Sequence, residues 1–219
     1  MVDIRYLTPV SRSGLLSLAD VARVVAALRA DGLVVLPTET GYMLASVATS
    51  PVAVRKAFAA KGRDLANPMH VACATLAMAE RYGVLDAVTT DLVGRFTPGP
   101  LTVVVPKTAA LPDELVTLRG TVGLRIPDCA ATLQVIAALD LPLTATSLNR
   151  SGAEHAPVTR QELDALAWPA GERVYVVRDD GVLAFDRPST LVRVDRAGPT
   201  VLRAGALSVE DITAAVPGA

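Results

Sequence analysis

Residues 33–42 read LVVLPTETGY, and this stretch decides the fold together with SPVAVRKAFAAKGR at 50–63 and NPMHVACA at 67–74. The apolar run at 33–36 is typical of a buried strand, and a polar loop follows it. Ser50 and Pro51 are typical of the first residues of a helix, and Gly62 is typical of its end. Residues 69–74 are apolar enough for the next strand. The pattern predicts strand, helix and strand, with cations and hydroxyls gathered in the connecting loops.

The composition of the chain favours a fold with buried strands. Half of its 219 residues are hydrophobic, but only 4% are aromatic, so Val, Leu, Ile and Ala must supply most of the core. Such residues suit strands that are buried on both faces. Strand and helix patterns interleave without a repeat or a clear linker, so we predict a single domain over residues 1–219. The predicted fold class is α/β, with a twisted, open, mixed sheet and flanking helices.

Several further elements follow from caps and apolar periodicity. The predicted helices are one from Ser17 to Gly32, two capped by Thr75 and Thr90 over 76–82 and 91–96, and three over 129–139, 159–168 and the segment after Ser208. The predicted strands lie at 101–105, 121–126, 143–146, 174–177, 191–194 and 201–203.

Charge and cysteine content exclude several classes of protein. The chain has 21 Lys and Arg against 22 Asp and Glu, which argues against an extended nucleic-acid-coating surface but allows a local basic cavity. Cys73 and Cys129 lack a C-x-x-C partner, so neither a zinc site nor a disulfide framework is predicted. His70 and His155 have no third ligand at metal spacing, so we expect them to be ordinary polar residues and predict no metal site. With no apolar segment of membrane-spanning length, we expect a cytoplasmic, soluble protein that does not contact a membrane.

Lys61 and Arg63 lie where the predicted helix ends, and their meaning depends on the rest of the chain. Cations in the last turn of a helix are favoured by its dipole, so alone they do not indicate a binding site. They occur, however, within an ordered series of motifs. The series is PTET at 37–40, KGR at 61–63, NP at 67–68, PGPLT at 98–102, TVGLRIP at 121–127 and SLNRSG at 147–152.

This series of motifs resembles the YrdC-like (TsaC-type) threonylcarbamoyl-AMP synthase family over about residues 15–207. The resemblance implies an open α/β sheet curled around a basic cavity. It also implies that L-threonine, bicarbonate and ATP are converted to threonylcarbamoyl-AMP and pyrophosphate, for threonylcarbamoyladenosine formation in tRNA. Mg²⁺ would be held mainly by the ATP phosphates. A separate tRNA threonylcarbamoyl transferase machinery would take the product, and a weak contact with tRNA is a further expectation.

The resemblance also implies roles for individual residues. The expected catalytic residues are Lys61, Arg63, Ser147 and Asn149. These four are expected to bind ATP together with Asn67, Thr121 and Arg203. The expected threonine-binding residues are Thr38, Thr40, Arg125, Ala145 and Ser189. Because every reactant carries negative charge, fixed cations and oriented donors are what the chemistry needs.

The match weakens just after the PTET motif. The family usually continues with Val-Tyr-Gly-Leu-Gly, whereas this chain has GYMLA at 41–45. Met43 and Ala45 replace glycines and are expected to narrow or reshape the threonine pocket. Two other hypotheses therefore stay open from the sequence. One is a paralogue that uses another carbamoyl or amino-acid substrate, and the other is a non-catalytic nucleotide- or RNA-binding module.

Overall fold

A computed structural model describes residues 2–10, 14–64, 66–112, 117–148, 160–178, 184–195 and 198–216. The strands in this part of the chain are β1 (Asp3–Leu7), β2 (Val34–Thr38), β3 (Gly41–Ala45), β4 (His70–Ala72), β5 (Leu101–Pro106), β6 (Thr121–Arg125), β7 (Leu143–Ser147), β8 (Arg173–Val177), β9 (Thr190–Asp195) and β10 (Gly198–Arg203). The helices are α1 (Leu18–Arg29), α2 (Pro51–Lys61), α3 (Leu76–Tyr82), α4 (Ala87–Phe96), α5 (Ala130–Leu139), α6 (Arg160–Asp164) and α7 (Val209–Ala214).

The described strands form one mixed sheet in the order β1-β8-β2-β3-β7-β4-β6-β5-β9-β10. The central strands β2, β3, β7 and β4 pair antiparallel in turn, and β4 then pairs parallel with β6. Parallel pairs also join β1 to β8, β2 to β8, and β5 to β9. The prediction of an α/β fold with a mixed sheet is confirmed.

Most predicted helix boundaries are confirmed by their caps. The hydroxyls of Ser17, Ser50, Thr75 and Ser208 each accept a backbone N–H at the start of a helix, and Gly62 ends α2 in the left-handed region at φ 56°. These local signals satisfy helix ends without help from distant residues.

Two predicted helices are corrected. The helix α4 begins at Ala87 rather than at 91, because the carboxylate of Asp86 accepts the Thr89 N–H at 2.8 Å and caps the helix one turn earlier than Thr90. The helix predicted over 159–168 is shorter, since α6 ends at Asp164. Beyond it, the indole N–H of Trp168 donates to the Leu163 carbonyl at 2.6 Å, which folds the chain back.

The register of the sheet determines which side chains share a face. Residues paired across neighbouring strands, and alternate residues along one strand, point to the same side. Met43 pairs with Ser147, and His70 pairs with Ala145. Val71 pairs with Leu124, so His70 lies beside Gly123. We call the shared side the polar sheet face, and it carries Thr38, Met43, His70, Thr102, Gly123, Arg125, Ala145 and Ser147.

Helices pack against the opposite side of the sheet. The helix α5 contacts both α1 and β2, and the Thr132 hydroxyl donates to the Pro37 carbonyl at 2.6 Å. Side chains of α3 and α4, such as Ala79 and Val93, line an apolar pocket with Leu101 and Leu124. Part of the hydrophobic core therefore lies on this side of the sheet. No helix in the described ranges is long and apolar enough to cross a membrane.

Candidate functional site

Lys61, the last residue of α2, reaches the end of β7. Only 8% of it is exposed, and its Nζ donates to the Ser147 carbonyl and to Thr146 Oγ1 at 3.3 Å. Burial, with a smaller contribution from nearby Arg63, lowers the pKa of Lys61 to about 8. The helix end is thus tied to the strand end through a cation that is mostly charged at neutral pH.

Arg63 folds back onto its own loop. Its Nε donates to the Asn67 carbonyl at 2.8 Å, and its Nη2 donates to the Pro68 carbonyl at 3.1 Å. Burial lowers the pKa of Arg63. Asn67 is exposed and contributes its backbone to this contact. The loop after α2 therefore fixes the guanidinium before any ligand is present.

Arg125, at the end of β6, forms a buried ion pair that the sequence did not predict. Its Nη2 donates to Glu39 Oε1 at 2.6 Å and to Thr40 Oγ1 at 3.1 Å. Glu39 is 2% exposed, and its second oxygen accepts the Asp128 N–H at 2.8 Å. The Nε of Arg125 is buried without a hydrogen-bond partner among the described residues. A buried donor without a hydrogen bond is energetically costly. An acceptor supplied by a ligand at this position would therefore stabilise the guanidinium.

Arg203, at the end of β10, is held by Ser189. Its Nη2 donates to the Ser189 carbonyl at 2.8 Å and to the Ser189 hydroxyl at 3.2 Å. The Ser189 hydroxyl is 2.7 Å from that of Thr102 on β5. Although Arg203 as a whole is exposed, desolvation of its guanidinium and the proximity of Arg125 lower its pKa. Three strand ends are thereby connected around one cation.

The turn between β2 and β3 buries Thr38 and Thr40, which were predicted to bind the substrate threonine. Thr38 Oγ1 donates to the Gly41 carbonyl at 2.6 Å and lies 3.2 Å from Thr40 Oγ1. Gly41 has φ 113°, which a residue with a side chain rarely adopts, so the glycine that departs from the family pattern is required by this turn. Thr38 is committed to the turn, whereas Thr40 also contacts Arg125.

A second segment of the chain lies against this turn. The backbone N–H groups of Ala184 and Phe185 both donate to the Glu39 carbonyl at 3.1 Å. The segment continues to Ser189, which lies 3% exposed before β9. Of the predicted threonine-binding residues, Thr40 contacts Arg125, and Ser189 contacts Arg203, whose pKa is lowered by desolvation and in part by the charge of Arg125.

His70 shows that the predicted cations converge. Burial and the charges of Arg203, Arg125 and Arg63, in that order, lower its pKa to about 3. Three arginines from separate motifs thus lie close enough to act on one imidazole. His70 was expected from the sequence to be an ordinary polar residue, and the available signal was its position at the start of the strand that follows Asn-Pro. Glu39 was also missed, although it is the carboxylate between the two motif threonines.

Of the remaining predicted residues, some lie around this centre, Thr121 lies away from it, and Asn149 lies outside the described residues. Ala145 is beside His70, and Ser147 is exposed opposite Met43. Thr121 lies at the other end of β6 from Arg125, and its hydroxyl donates to the Leu118 carbonyl at 2.7 Å in a turn. Asn149 is not among the described residues.

This arrangement suits an anionic ligand with several negatively charged groups. Lys61, Arg63, Arg125 and Arg203 are all partly desolvated, and one carboxylate, that of Glu39, balances one of them within this set. Fixed cations in a partly water-excluded site bind phosphates and carboxylates more strongly than surface cations do. Among the described residues no group of three potential ligands for a metal ion is present.

Known proteins share both the sequence and the fold. The family model for the Sua5/YciO/YrdC domain, described as "Telomere recombination", matches residues 26–205. A threonylcarbamoyl-AMP synthase of Bacillus subtilis is 33% identical over 204 residues, covering 90% of this chain and 56% of that protein. A putative threonylcarbamoyl-AMP synthase of Methanocaldococcus jannaschii is 29% identical over 182 residues, covering 82% of this chain and 83% of that protein.

A solved structure extends the likeness to three dimensions. The crystal structure of Pyrococcus abyssi Sua5 complexed with L-threonine superposes with a TM-score of 0.84 at 28% identity. It covers 98% of this chain and 61% of the Pyrococcus chain. This chain thus spans little more than half of the Bacillus and Pyrococcus proteins. The family predicted from the motifs is confirmed: the chain belongs to the Sua5/YciO/YrdC family.

Proposed function

We propose that this protein is an L-threonylcarbamoyladenylate synthase, which makes threonylcarbamoyl-AMP and pyrophosphate from L-threonine, bicarbonate and ATP. The observation that carries the proposal is the convergence of Arg63, Arg125 and Arg203 around His70, with Lys61 beside Arg63. ATP, bicarbonate and the threonine carboxylate are all anions, and their mutual repulsion must be offset before they can react. Four desolvated cations close together repel one another, and a polyanionic ligand such as ATP would offset this cost.

The phosphate end of the site is assigned to the cations at the ends of α2 and β10. Lys61, Arg63 and Arg203 bind the ATP phosphates, and Ser147 supplies a hydroxyl at the exposed end of β7. Lys61 acts as a point charge, while the guanidiniums offer two parallel donors. Asn67, Thr121 and Asn149 belong to the same proposal as further ATP contacts. Lys61, Arg63, Ser147 and Asn149 would stabilise charge on the reacting phosphate.

The amino-acid end of the site is assigned to the turn between β2 and β3. The carboxylate of threonine accepts from Arg125, whose buried Nε lacks a partner among the described residues. Thr40 and Ser189 are the hydroxyls nearest to this cluster of contacts, and Thr38 fixes the turn. The Pyrococcus relative binds L-threonine in its crystal structure, which supports this choice of amino acid. Ala145 and Met43, on the polar sheet face, would limit the size of the substrate side chain.

Mg²⁺ enters this proposal as a counter-ion of the ATP phosphates. Glu39 is the carboxylate of the site, but its two oxygens accept from Arg125 and Asp128, so it does not suit a metal ligand. A phosphate-bound ion would reduce the charge that the four cations must balance. The product is a mixed anhydride, which a separate tRNA threonylcarbamoyl transferase machinery would consume. A weak contact with tRNA is part of the same expectation.

The test is direct detection of the product. The purified protein is incubated with MgATP, threonine and ¹³C-labelled bicarbonate, and the mixture is analysed by mass spectrometry. The proposal predicts an adenylate that carries both the threonine and the labelled carbon. Serine should give less product and valine almost none, because a site built to hydrogen-bond a hydroxyl strongly rejects an analogue without one. Equal product with valine would instead support a paralogue with another amino-acid substrate.

A further inference from the structure

His70 lies in the middle of the polar sheet face, between two residues too small to cover it. It is the first residue of β4 and pairs with Ala145 of β7 on one side. On its other side is Gly123 of β6. The exposure of His70 as a whole is intermediate, and its imidazole is largely desolvated.

Gly123 makes room for the imidazole. A Cβ atom on residue 123 would lie 2.8 Å from His70 Cδ2 and 3.3 Å from His70 Cγ, closer than side chains normally approach. The ring therefore occupies the space that a side chain at 123 would fill. Its position is set by packing against the strand backbone rather than by chance exposure.

The charged groups around His70 come from four other elements. Arg203 ends β10, Arg125 ends β6, and Arg63 follows α2, where Lys61 lies beside it. Glu39, in the turn between β2 and β3, neutralises part of the charge of Arg125. Burial, with smaller contributions from the three arginines, lowers the pKa of His70 to about 3, so the imidazole of the free protein is neutral at physiological pH. A neutral imidazole has a lone pair that can accept a proton.

Bound nucleotide changes this balance. The phosphates of ATP would neutralise the arginines that oppose protonation, and a nearby anion favours the charged imidazolium. The pKa of His70 should therefore rise from about 3 when ATP is bound, by the part that the arginines contribute, while the larger effect of burial remains. The imidazole thus becomes a stronger base when the nucleotide is bound.

Resting on the proposed function, we propose that His70 is a catalytic residue: its imidazole accepts the proton that the amino group of the substrate must lose before it bonds to bicarbonate. The amino acid arrives as an ammonium, which has no lone pair. His70 shares the polar sheet face with Arg125, assigned to the carboxylate, and the charges of Arg63 and Arg203, assigned to the phosphates, act on its imidazole. The amine of an amino acid held at Arg125 must meet bicarbonate and the α-phosphate in this region.

The proposed step balances as follows. Imidazole takes one proton from the ammonium, and the freed nitrogen lone pair forms the N–C bond with bicarbonate. The carbon–hydroxyl bond breaks, and the hydroxide leaves as water with a second proton from nitrogen. A carbamate oxygen then attacks the α-phosphorus while the bond to pyrophosphate breaks. The proton held by His70 leaves with pyrophosphate, which restores the neutral imidazole.

Kinetics of His70→Gln provide the first test. Glutamine can hydrogen-bond but cannot titrate, so kcat should fall by about 10²-fold or more, the usual contribution of a general base. KM for ATP and threonine should change by less than about threefold, and the acidic limb of the kcat–pH profile should disappear. Gly123→Ala, which displaces the ring, should lower kcat in the same direction while it keeps the titrating group. An unchanged kcat in His70→Gln would overturn the proposal.

Nuclear magnetic resonance provides the second test. The chain contains two histidines, so the signal of His70 can be identified as the one that is missing in His70→Gln. Saturation with a non-hydrolysable ATP analogue should raise its pKa by more than one unit, whereas an unchanged pKa would overturn the proposal. If the unaltered protein releases no pyrophosphate with any amino acid, the proposed function falls and takes the catalytic role with it. If it is active and His70→Gln is equally active, only the role of His70 falls.

Discussion

Individual side chains of this site are kept charged at a measurable cost in stability. Lys61 is 8% exposed, and its pKa is lowered from 10.5 to about 8, chiefly by burial. At 1.36 kcal/mol per unit, such a shift corresponds to roughly 3 kcal/mol of destabilisation while Lys61 is charged. The ion pair between Arg125 and Glu39 is also buried. The free energy needed to remove both charges from water offsets part of their attraction. A ligand with negative charge would offset both costs.

The pH dependence of stability tests the burial of Lys61. Between pH 8 and 10.5 the folded state binds fewer protons at Lys61 than the unfolded state does, so its destabilising effect is full below pH 8 and disappears as the pH rises toward 10.5. We expect Lys61→Met to raise the free energy of unfolding by about 1–3 kcal/mol at pH 7 and by much less at pH 10. Urea unfolding at both pH values measures the difference. A destabilised variant at pH 7 would show that Lys61 is a structural group.

The affinity for ATP should fall as Lys61 loses its proton above pH 8. Phosphate binding needs the charged form of Lys61, so the Kd for ATP should rise up to about tenfold per pH unit above pH 8. In Lys61→Met the Kd for ATP should be larger than in the unaltered protein at pH 7, and it should be nearly constant between pH 7 and 10. Isothermal calorimetry between pH 7 and 10 measures both proteins. A pH-independent Kd in the unaltered protein would exclude Lys61 from the phosphate site.

Arg63→Ala should abolish turnover while the protein stays folded. The side chain donates to two carbonyls of its own loop, so its removal should cost only about 1–2 kcal/mol of stability. A cation aligned on transferring phosphate is worth several kcal/mol in rate, or at least about 10²-fold. Arg23→Ala is the matched control, because Arg23 is an exposed arginine of α1 paired with Asp20. The two variants should differ in turnover, whereas their thermal melts should both show a folded protein.

At the scale of elements, the hairpin of β2 and β3 explains how this chain departs from its family pattern. Gly41 supplies the positive φ that the turn requires, and Met43 faces Ser147 across the strand pair β3–β7. Met43 is 3% exposed, so it fills space in the core as well as bordering the site. Replacement of the family glycine by Met43 thus has a packing consequence that substrate specificity alone would not reveal.

Met43→Ala should therefore destabilise the protein by about 2–5 kcal/mol, as other buried Met-to-Ala changes do. Met43→Leu, which nearly conserves volume, should cost less than about 1.5 kcal/mol and serves as the control. If Met43 also narrows the amino-acid pocket, Met43→Ala should lower KM for threonine in the fraction that remains folded. Chemical denaturation and steady-state kinetics separate the two effects. A loss of stability below 1 kcal/mol would contradict the packing role.

At the scale of the whole molecule, features that neighbouring residues determine were predicted from the sequence better than contacts between distant residues. Helix α2 begins after Ser50 and ends before Gly62 as expected, because caps and left-handed glycines act within a few residues. Thr90 was wrong as a cap, because Asp86 offered a competing acceptor one turn earlier. The pairing of Glu39 with Arg125, 86 positions apart, depends on the order of strands between them and could not be derived from either sequence segment.

The candidate site shows the same division. The motifs placed Lys61, Arg63, Arg125, Ser189 and Arg203 together, and the sheet brings their contacts to adjoining strand ends. The role proposed for His70 depends on the parallel register of β4 with β6, which places it beside Gly123. A single histidine in an apolar run carries no sign of that register.

The most direct test of the account is pyrophosphate release with each reactant omitted in turn. The central claim is that one cluster of cations binds ATP, bicarbonate and threonine together, so release should require all three. Omission of threonine or bicarbonate should lower the rate to that of the protein-free control, and Arg63→Ala should lower it equally in the complete mixture. Release that continues at the full rate without an amino acid, or no release in the complete mixture, would contradict the claim.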